Sequence, residues 1–435
     1  MPANNGRYYR KNLRQSGYLF NQNGIALVAA LVLTLVLSLL IITAIRFSTT
    51  DITRTKNYVE TRQATYIAEG GIHRALIYFN YDGAGDSPGE VSNGFDDELD
   101  SSNWPAGTFT NITLGDGTYS VVITDNDDGN ALDADNSVFL TSTGTINGIT
   151  ATVEAYIHRP QFKSKFALLS EGDIDVNGNS TSISGTNGAV HSNSDVTQTG
   201  NPTVQEGASA TGTCSGSDCT SSVAEEFVPV IEPSDYEQYA DYIFNADGTI
   251  DQNVNGTITT GVEGNAIFSK FSHNNQGWSV GNNATINTDV PNQAFLYFKD
   301  DFKAASIGSS GTPWEITIVT EKSISWTGSA NITNWNSDSD HTPDIQNLFL
   351  VAGNDIKISG LDQDTQGLIA CKDQFDVSGG ANIEGYFIGN NLTTDDNVVN
   401  GTESAVKGGI TITYNGDLLA PVLSNKVTVL AWQQT

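Results

Sequence analysis

The chain has 435 residues, with 20 Lys and Arg against 50 Asp and Glu and a formal net charge of −30. That length accommodates two or three domains. The acidic excess disfavours binding to nucleic acid or to anionic lipid headgroups.

The charge is unevenly placed. Residues 1–24 include Arg7, Arg10, Lys11 and Arg14 and no acidic residue. Everything after Gly24 holds the other 16 basic residues and all 50 acidic ones, a formal balance of −34. Next comes Ile25 to Ile45, IALVAALVLTLVLSLLIITAI, twenty-one residues without a charge. At about 1.5 Å per residue this run spans roughly 30 Å, the thickness of a bilayer's hydrocarbon core. The basic flank keeps residues 1–24 cytoplasmic and exports the rest. A secretory signal peptide would have a shorter apolar region, followed by a small-residue cleavage site. Here the run continues without Pro or Gly into FSTTDITRTKNYVETRQATYIAEGGIHRALIYF. Ile45, Ile52, Val59 and Tyr66 recur every seventh residue, and Ile72, Leu76 and Phe79 extend the face. This predicts one helix over 25–80, interrupted or bent at Gly70-Gly71, whose second half offers an apolar stripe to a soluble domain.

A basic leader ending in Gly24, an uncharged helix starting at Ile25 and the later Ala68-Glu69-Gly70-Gly71-Ile72 occur in that order. This N-terminal part resembles type IV pilin-like proteins with a PilX-type N-terminal domain. The resemblance covers roughly the first 80 residues. It implies cleavage after Gly24 by a prepilin peptidase, N-methylation of Ile25, and a helix that later packs against other pilins and minor pilins in a filament. Major pilins have a glutamate at the fifth position of the mature helix. Here that position is Ala29, and the first acidic residue is Asp51. Without that carboxylate an attraction to the neighbouring amino terminus is lost, which suits a tip subunit better than a shaft subunit. Pseudopilins of type II secretion systems share this lack. A plain single-pass anchor is the other reading of the segment.

Residues 81–160 form the first exported unit. After a Gly- and Asp-rich loop, the alternation in Thr118–Thr124, Ser137–Ser142 and Ile149–His158 predicts an antiparallel sheet with one buried face, placed to cover the helix. Between the first two strands Asp125, Asp127, Asp128, Asp133 and Asp135 crowd a twelve-residue loop. Such an oxygen-rich loop is a candidate calcium site, but its spacing is not that of an EF-hand. A solvated Asn/Asp turn is the competing reading.

From residue 161 the texture changes. FALLSEGDIDVNGNSTSISG, AVHSNSDVTQTGNPTV, LFLVAGNDIKISG and GLIACKDQFDVSGGANIEG look like variants of one strand-and-turn unit. Ile174 precedes Val196 by 22 residues, and Ile356 precedes Phe375 by 19. Such periods predict a β-solenoid over 161–435, a right-handed parallel β-helix in preference to a β-sandwich. Residues 223–320 read as an insertion or cap, with a short helix at Ser234–Phe244 and strands at Asn253–Ile258, Ala294–Phe298 and Glu315–Thr320. Ile410–Trp432 is expected to close the core. The overall class is α+β: a pilin helix on a small sheet, then a mostly β domain.

Cys214 and Cys219 in TCSGSDC can close a short disulfide in an exported protein, or stand as two thiols in a loop; Cys371 reads as a buried apolar residue. Asn287-Thr288-Asp289 and Asp300-Asp301 resemble the acidic motifs of polygalacturonases. No Gly-His-Gly follows, however, and no arginine occurs after Arg159. His73, His158, His191, His273 and His341 lack metal or triad spacing, and no nucleophile elbow or phosphate loop is present. The chain therefore reads as a non-enzymatic minor pilin-like protein of the inner membrane, exposed on a pilus after assembly. A secretion pseudopilin and an anchored glycan-binding or glycan-cleaving β-helix are the alternatives. Trp278, Trp314, Trp326 and Trp335 are candidate contacts to a surface or glycan, with core packing the competing reading.

Overall fold

The computed structural model describes residues 22–434 apart from 82–93, 100–103, 105–106, 127–135, 255–256, 263, 289–290, 310, 336–345, 362–363, 381, 393–397, 400–402, 417 and 419–425. Helix α1 runs without interruption over Gln22–Tyr81. Leu and Ala dominate its first half, and its hydroxyl side chains return their protons to the helix's own carbonyls. Thr34 donates to Leu31 O at 2.9 Å, and Ser38 donates to Thr34 O at 2.7 Å. No polar hydrogen is thereby left facing hydrocarbon. From Ile25 to Val59 every residue is exposed, and Glu60 is the first buried one.

Gly70 and Gly71 neither interrupt the helix nor end it. They lie where the following sheet comes closest. A Cβ on Gly70 would stand 2.6 Å from Leu114 Cδ2, and one on Gly71 would stand 2.8 Å from Tyr119 Cδ2. Gly144 supplies the matching clearance from the sheet, since a Cβ there would lie 2.6 Å from Ala68 N.

A short helix α2 (Asp96–Leu99) precedes strands β1 (Ile112–Leu114), β2 (Gly117–Asp125), β3 (Ser137–Ile146) and β4 (Ile149–His158). The order is β1-β2-β3-β4, and a fifth strand at the C-terminus, Thr428–Gln434, adds antiparallel to β4. Asn147 and Gly148, both at positive φ, make the β3–β4 turn, as two-residue hairpins require. The Asn147 side chain donates to Glu60 Oε1 at 2.9 Å. Ala64, Ala68, Ile72, Ala75 and Phe79 of α1 share one apolar cluster with Tyr119, Val121, Val138, Leu140, Val153 and Ala155. The exposed heptad stripe Ile45, Ile52, Val59 and Tyr66 lies outside that cluster. The buried face is instead rich in alanine, which permits the close approach.

Residues 166–413 form two large sheets paired mainly in parallel, with antiparallel strands at one end. The two sequence offsets recur as register partners: Ile174 pairs with Val196, and Ile356 with Phe375. The order of strands along the stack was not legible. The chain enters at the middle with Phe166–Ser170 and adds Ala189–Ser192, Ala208–Ala210 and Cys219–Thr220 toward one end. It then travels to the far end and returns through Gln293–Phe298, Trp314–Thr320, Leu348–Ala352, Thr365–Cys371 and Asn382–Gly389. The last of these pairs with the first strand, Phe387 opposite Leu168.

The traverse is a strap over residues 223–241. Asn193 donates to Glu226 O at 2.8 Å, Asn390 donates to Pro229 O at 3.0 Å, Lys372 pairs with Glu232, and Lys299 Nζ lies 2.7 Å from Glu237. From 226 to 237 the strap crosses six strand spacings, roughly 29 Å at about 4.8 Å each, which extended chain followed by a 3-10 turn can span and an α-helix over its second half would shorten. Val228, Val230, Ile231 and Tyr236 are buried along it. The Ser234–Phe244 helix is therefore not formed. Pro233–Tyr239 makes a 3-10 turn, and Tyr242–Phe244 is a strand. Nor is 223–320 one insertion: Ile250–Val254 and Thr257–Thr259 make an antiparallel end, whereas Gln293–Phe298 and Trp314–Thr320 belong to the stack. Of the run expected to close the core, Thr411–Thr413 does join the stack, but Thr428–Gln434 returns to β4.

The core tapers. One inward row reads Trp278, Phe302, Ile324, Ile356 and Phe375. Past Ser404 of the intervening strand Glu403–Gly408 it continues as Ile174, Val196 and Cys214. The thick end is packed with aromatics, Phe244 lying 4.3 Å from Phe298 and 5.0 Å from Trp278 between ring centres. The thin end has Ala208 and Ala210 and a disulfide between Cys214 and Cys219, whose Cα atoms are 5.4 Å apart. That bond joins the last strands of the two sheets, where little apolar burial is available.

Replacing Cys214 and Cys219 by Ser is expected to abolish hydrogen-exchange protection over residues 208–220 and leave it intact around Leu168 and Phe387. Loss of protection at both places would show that the thin end supports the whole stack. Gly144→Ala is expected to cost about 1–3 kcal/mol, read by thermal melting, because the new methyl meets helix backbone that cannot rotate away.

Candidate functional site

Gly24 and Ile25 lie in the first turns of α1. The apolar run that follows has none of its surface covered by the rest of the chain, and α1 is long and apolar enough to cross a membrane. Beyond it Ile45, Ile52, Val59 and Tyr66 stay exposed. Together with the exposed run Ile25–Ile45, these side chains leave one side of α1 uncovered by the chain as far as the sheet.

The other sequence candidates separate in space. Of the acidic loop, Asp127, Asp128, Asp133 and Asp135 lie outside the described residues. Asp125 closes β2, and its neighbour Asn126 donates to Tyr156 Oη at 3.0 Å. Among the described residues no group of three or more His, Cys, Asp or Glu is arranged to hold a metal ion. Cys371 is buried as expected, and burial pushes its thiol well above the usual range.

Asp300 and Asp301 sit at a corner of the stack in a ladder of side chains. Asp300 takes Lys322 Nζ at 2.7 Å and His273 Nε2 at 3.2 Å, and Asp301 lies 3.2 Å from Lys303 Nζ. Burial opposes ionisation of Asp300, yet the Lys322, Asp301 backbone and His273 hydrogen bonds hold its carboxyl below the ordinary value. A general acid requires the opposite shift. Asp289 lies outside the described residues. His191 is buried between Ser209 and Asn193, and His158 contacts Ser137 at 2.9 Å. His73 faces Trp432, and His341 lies outside the described residues.

The tryptophan candidates are core. Trp278, Trp314 and Trp326 are buried, and Trp335 packs against the same cluster. Among the described residues of the β unit no aromatic is exposed. The large apolar side chains these two sheets expose are aliphatic, Val254, Ile258 and Leu392, which give no aromatic platform for a sugar ring; exposed Trp432 belongs to the strand beside β4.

Two features were not found in the sequence. Arg159, the last arginine, is buried beside Glu98 at 2.8 Å and stands 4.8 Å over the Phe95 ring. It ties the end of β4 to α2 and α1; a lone Arg after a strand gives no sequence signal for this. The second is like charge at the seam, where Glu403 pairs in register with Asp173. Glu403 is itself exposed; partial desolvation by its neighbours, then Asp175 and Asp173, raise its carboxyl above its ordinary value, against the pull of Lys407. The two residues lie 230 positions apart, so only the stack order reveals them.

Residues 23–73 match the family model described as PilX N-terminal. This part of the chain is type IV pilin-like, as the leader, glycine and helix imply. Among solved structures, the competence-associated pilin ComZ from Thermus thermophilus is similar, at 12% identity and a TM-score of 0.29, over 86% of this chain and 97% of that one. None of the curated proteins matches the chain.

A carboxyl raised by its folded surroundings weakens the fold once it ionises. Glu403→Gln is therefore expected to raise the melting temperature at about pH 7, by about 1 °C. The gain should shrink as the pH falls through the ordinary glutamate range and be gone at about pH 3, where Glu403 is neutral in both the folded and the unfolded chain. An equal gain at both values would mean that the charge is irrelevant.

Proposed function

We propose that this chain is a minor pilin-like structural subunit of a type IV pilus, displayed at or near the tip. The observation that carries the reading is the coincidence of the PilX-type match over 23–73 with a helix that its own chain leaves bare from Ile25 to Val59. A helix uncovered over that length needs lipid before assembly and other subunits after it. In this reading the amino terminus starts in the cytoplasm, the peptidase cuts after Gly24, and Ile25 is methylated. Ala29 supplies no buried carboxylate for a following subunit, which favours a position with no subunit beyond it.

The parallel pairing with register offsets of about 20 residues supports reading the β unit as a parallel β-helix. Its role is display rather than catalysis. Asp300 and Asp301, the acidic pair the sequence singled out, are engaged by lysines. The buried tryptophans turn the reading away from sugar stacking. A ligand would meet a polar, acidic surface with 33 Asp and Glu against 10 Lys in residues 161–435.

Mass spectrometry of the amino terminus, from membranes and from material sheared off the cell surface, tests the assignment. The expected species begins at N-methylated Ile25 and appears in the sheared fraction. A chain still carrying its leader in cells with an active prepilin peptidase would refute the pilin reading. A processed chain confined to the membrane fraction would favour a secretion pseudopilus.

A further inference from the structure

We propose that the C-terminal strand, Thr428–Gln434, is a docking edge to which a neighbouring pilin-like subunit of different sequence adds a strand. The inference rests on the pilin reading and assigns it a second contact, separate from helix packing. The strand pairs with β4 along one edge, and it ends the sheet, so its other edge has no partner strand among the described residues. Exposed edges are ordinarily guarded by charge, proline or brevity. This one is seven residues long, TVLAWQQ, without a charge or a proline, and its only irregularity among the described residues is a register shift between Val429 and Ala431.

Its side chains are as unusual as its edge. All seven residues are exposed, with Leu430 at 54% and Trp432 at 39%. Trp432 lies 5.7 Å from the His73 ring, and Gln434 donates to Thr65 of α1 at 3.0 Å. The strand therefore borders the uncovered flank of α1, where Tyr66 and Ile77 are also exposed. Tyr66, Ile77, Leu430 and Trp432 thus make an apolar patch where helix meets sheet edge, bordered by Arg62 on α1 and by Glu154, which accepts from Gln433 at 2.7 Å.

The partner follows from that chemistry. An extended, uncharged segment with alternating apolar side chains satisfies both the free backbone groups and Leu430 and Trp432. A second copy of this chain is disfavoured where docking would press a second acidic β unit, with 33 Asp and Glu against 10 Lys in residues 161–435, directly against the first.

Photo-crosslinking of the full chain in the cells that make it tests the proposal, with a benzophenone side chain placed singly at 430, 432, 52 or 59. The expected product at 430 and 432 joins this chain to another whose amino terminus carries prepilin processing. Leu430→Lys with Trp432→Lys should then lower the amount of the protein in sheared filaments at least tenfold at unchanged melting temperature. Crosslinks at 52 and 59 with none at 430 or 432 would overturn the docking edge and leave the pilin reading standing. So would a product containing only a second copy, or full recovery of the double variant in filaments. An unprocessed leader with no crosslink at any of the four positions would defeat both.

Discussion

Pairing of the C-terminal strand with β4 requires everything between them to begin and end at one place. A solenoid built from one end to the other cannot meet that requirement, because its last strand lies far from its first. The chain meets it by entering the stack at the middle. It builds three layers outward, crosses back along the strap and fills the remaining layers until Phe387 meets Leu168. The seam, the strap and the position of both connections follow from one antiparallel strand pair.

That order has an energetic consequence. Contacts at the seam join residues more than 200 positions apart, and loop closure opposes them until the strap and the far end are in place. The aromatic end supplies the large burial that the return run needs, through Phe244, Phe298, Phe302 and Trp278. Burial of each such side chain is worth about 1.5–3 kcal/mol. The thin end is made early, from short strands and small side chains, and there a covalent bond substitutes for burial. The strap does two jobs at once: it moves the chain to the far end, and its Val228, Ile231 and Tyr236 cover apolar sheet surface that would otherwise face water.

The sequence shows what is local. Twenty-one uncharged residues after a basic leader define the first half of α1, and the 22- and 19-residue offsets give register partners to the residue. What it hides is the layer order, because adjacent layers can come from distant segments with the same period. The stripe at Ile45, Ile52, Val59 and Tyr66 misleads for a related reason. Large apolar residues mark a face that avoids water but do not say which partner covers it. The face buried within the chain is instead Ala64, Ala68, Gly71 and Ala75, small residues that a hydropathy pattern ranks low and a close helix–sheet approach demands. Gly70-Gly71 looks like a break in helix propensity until Leu114 and Tyr119 are seen above it. The tryptophans invert in the same way: each resembles a sugar platform when isolated in sequence, and three are buried once the stack closes.

Charge then divides the molecule into parts that can and cannot meet other subunits. At physiological ionic strength the screening length is about 8 Å, so the acidic β unit does not repel neighbours at a distance. It resists only direct contact with another acidic face. Assembly must therefore run through surfaces free of that charge. Residues 25–45 of α1 form one such surface, and in the proposed reading the strand at 428–434, which meets α1 further along at Thr65 and His73, forms another. Contacts confined to these two leave the β unit projecting outward, held at its middle by two adjacent strands. A pull on α1 then reaches the stack through both β4 and the C-terminal strand, at the seam, and its two ends stand outside the path of the load.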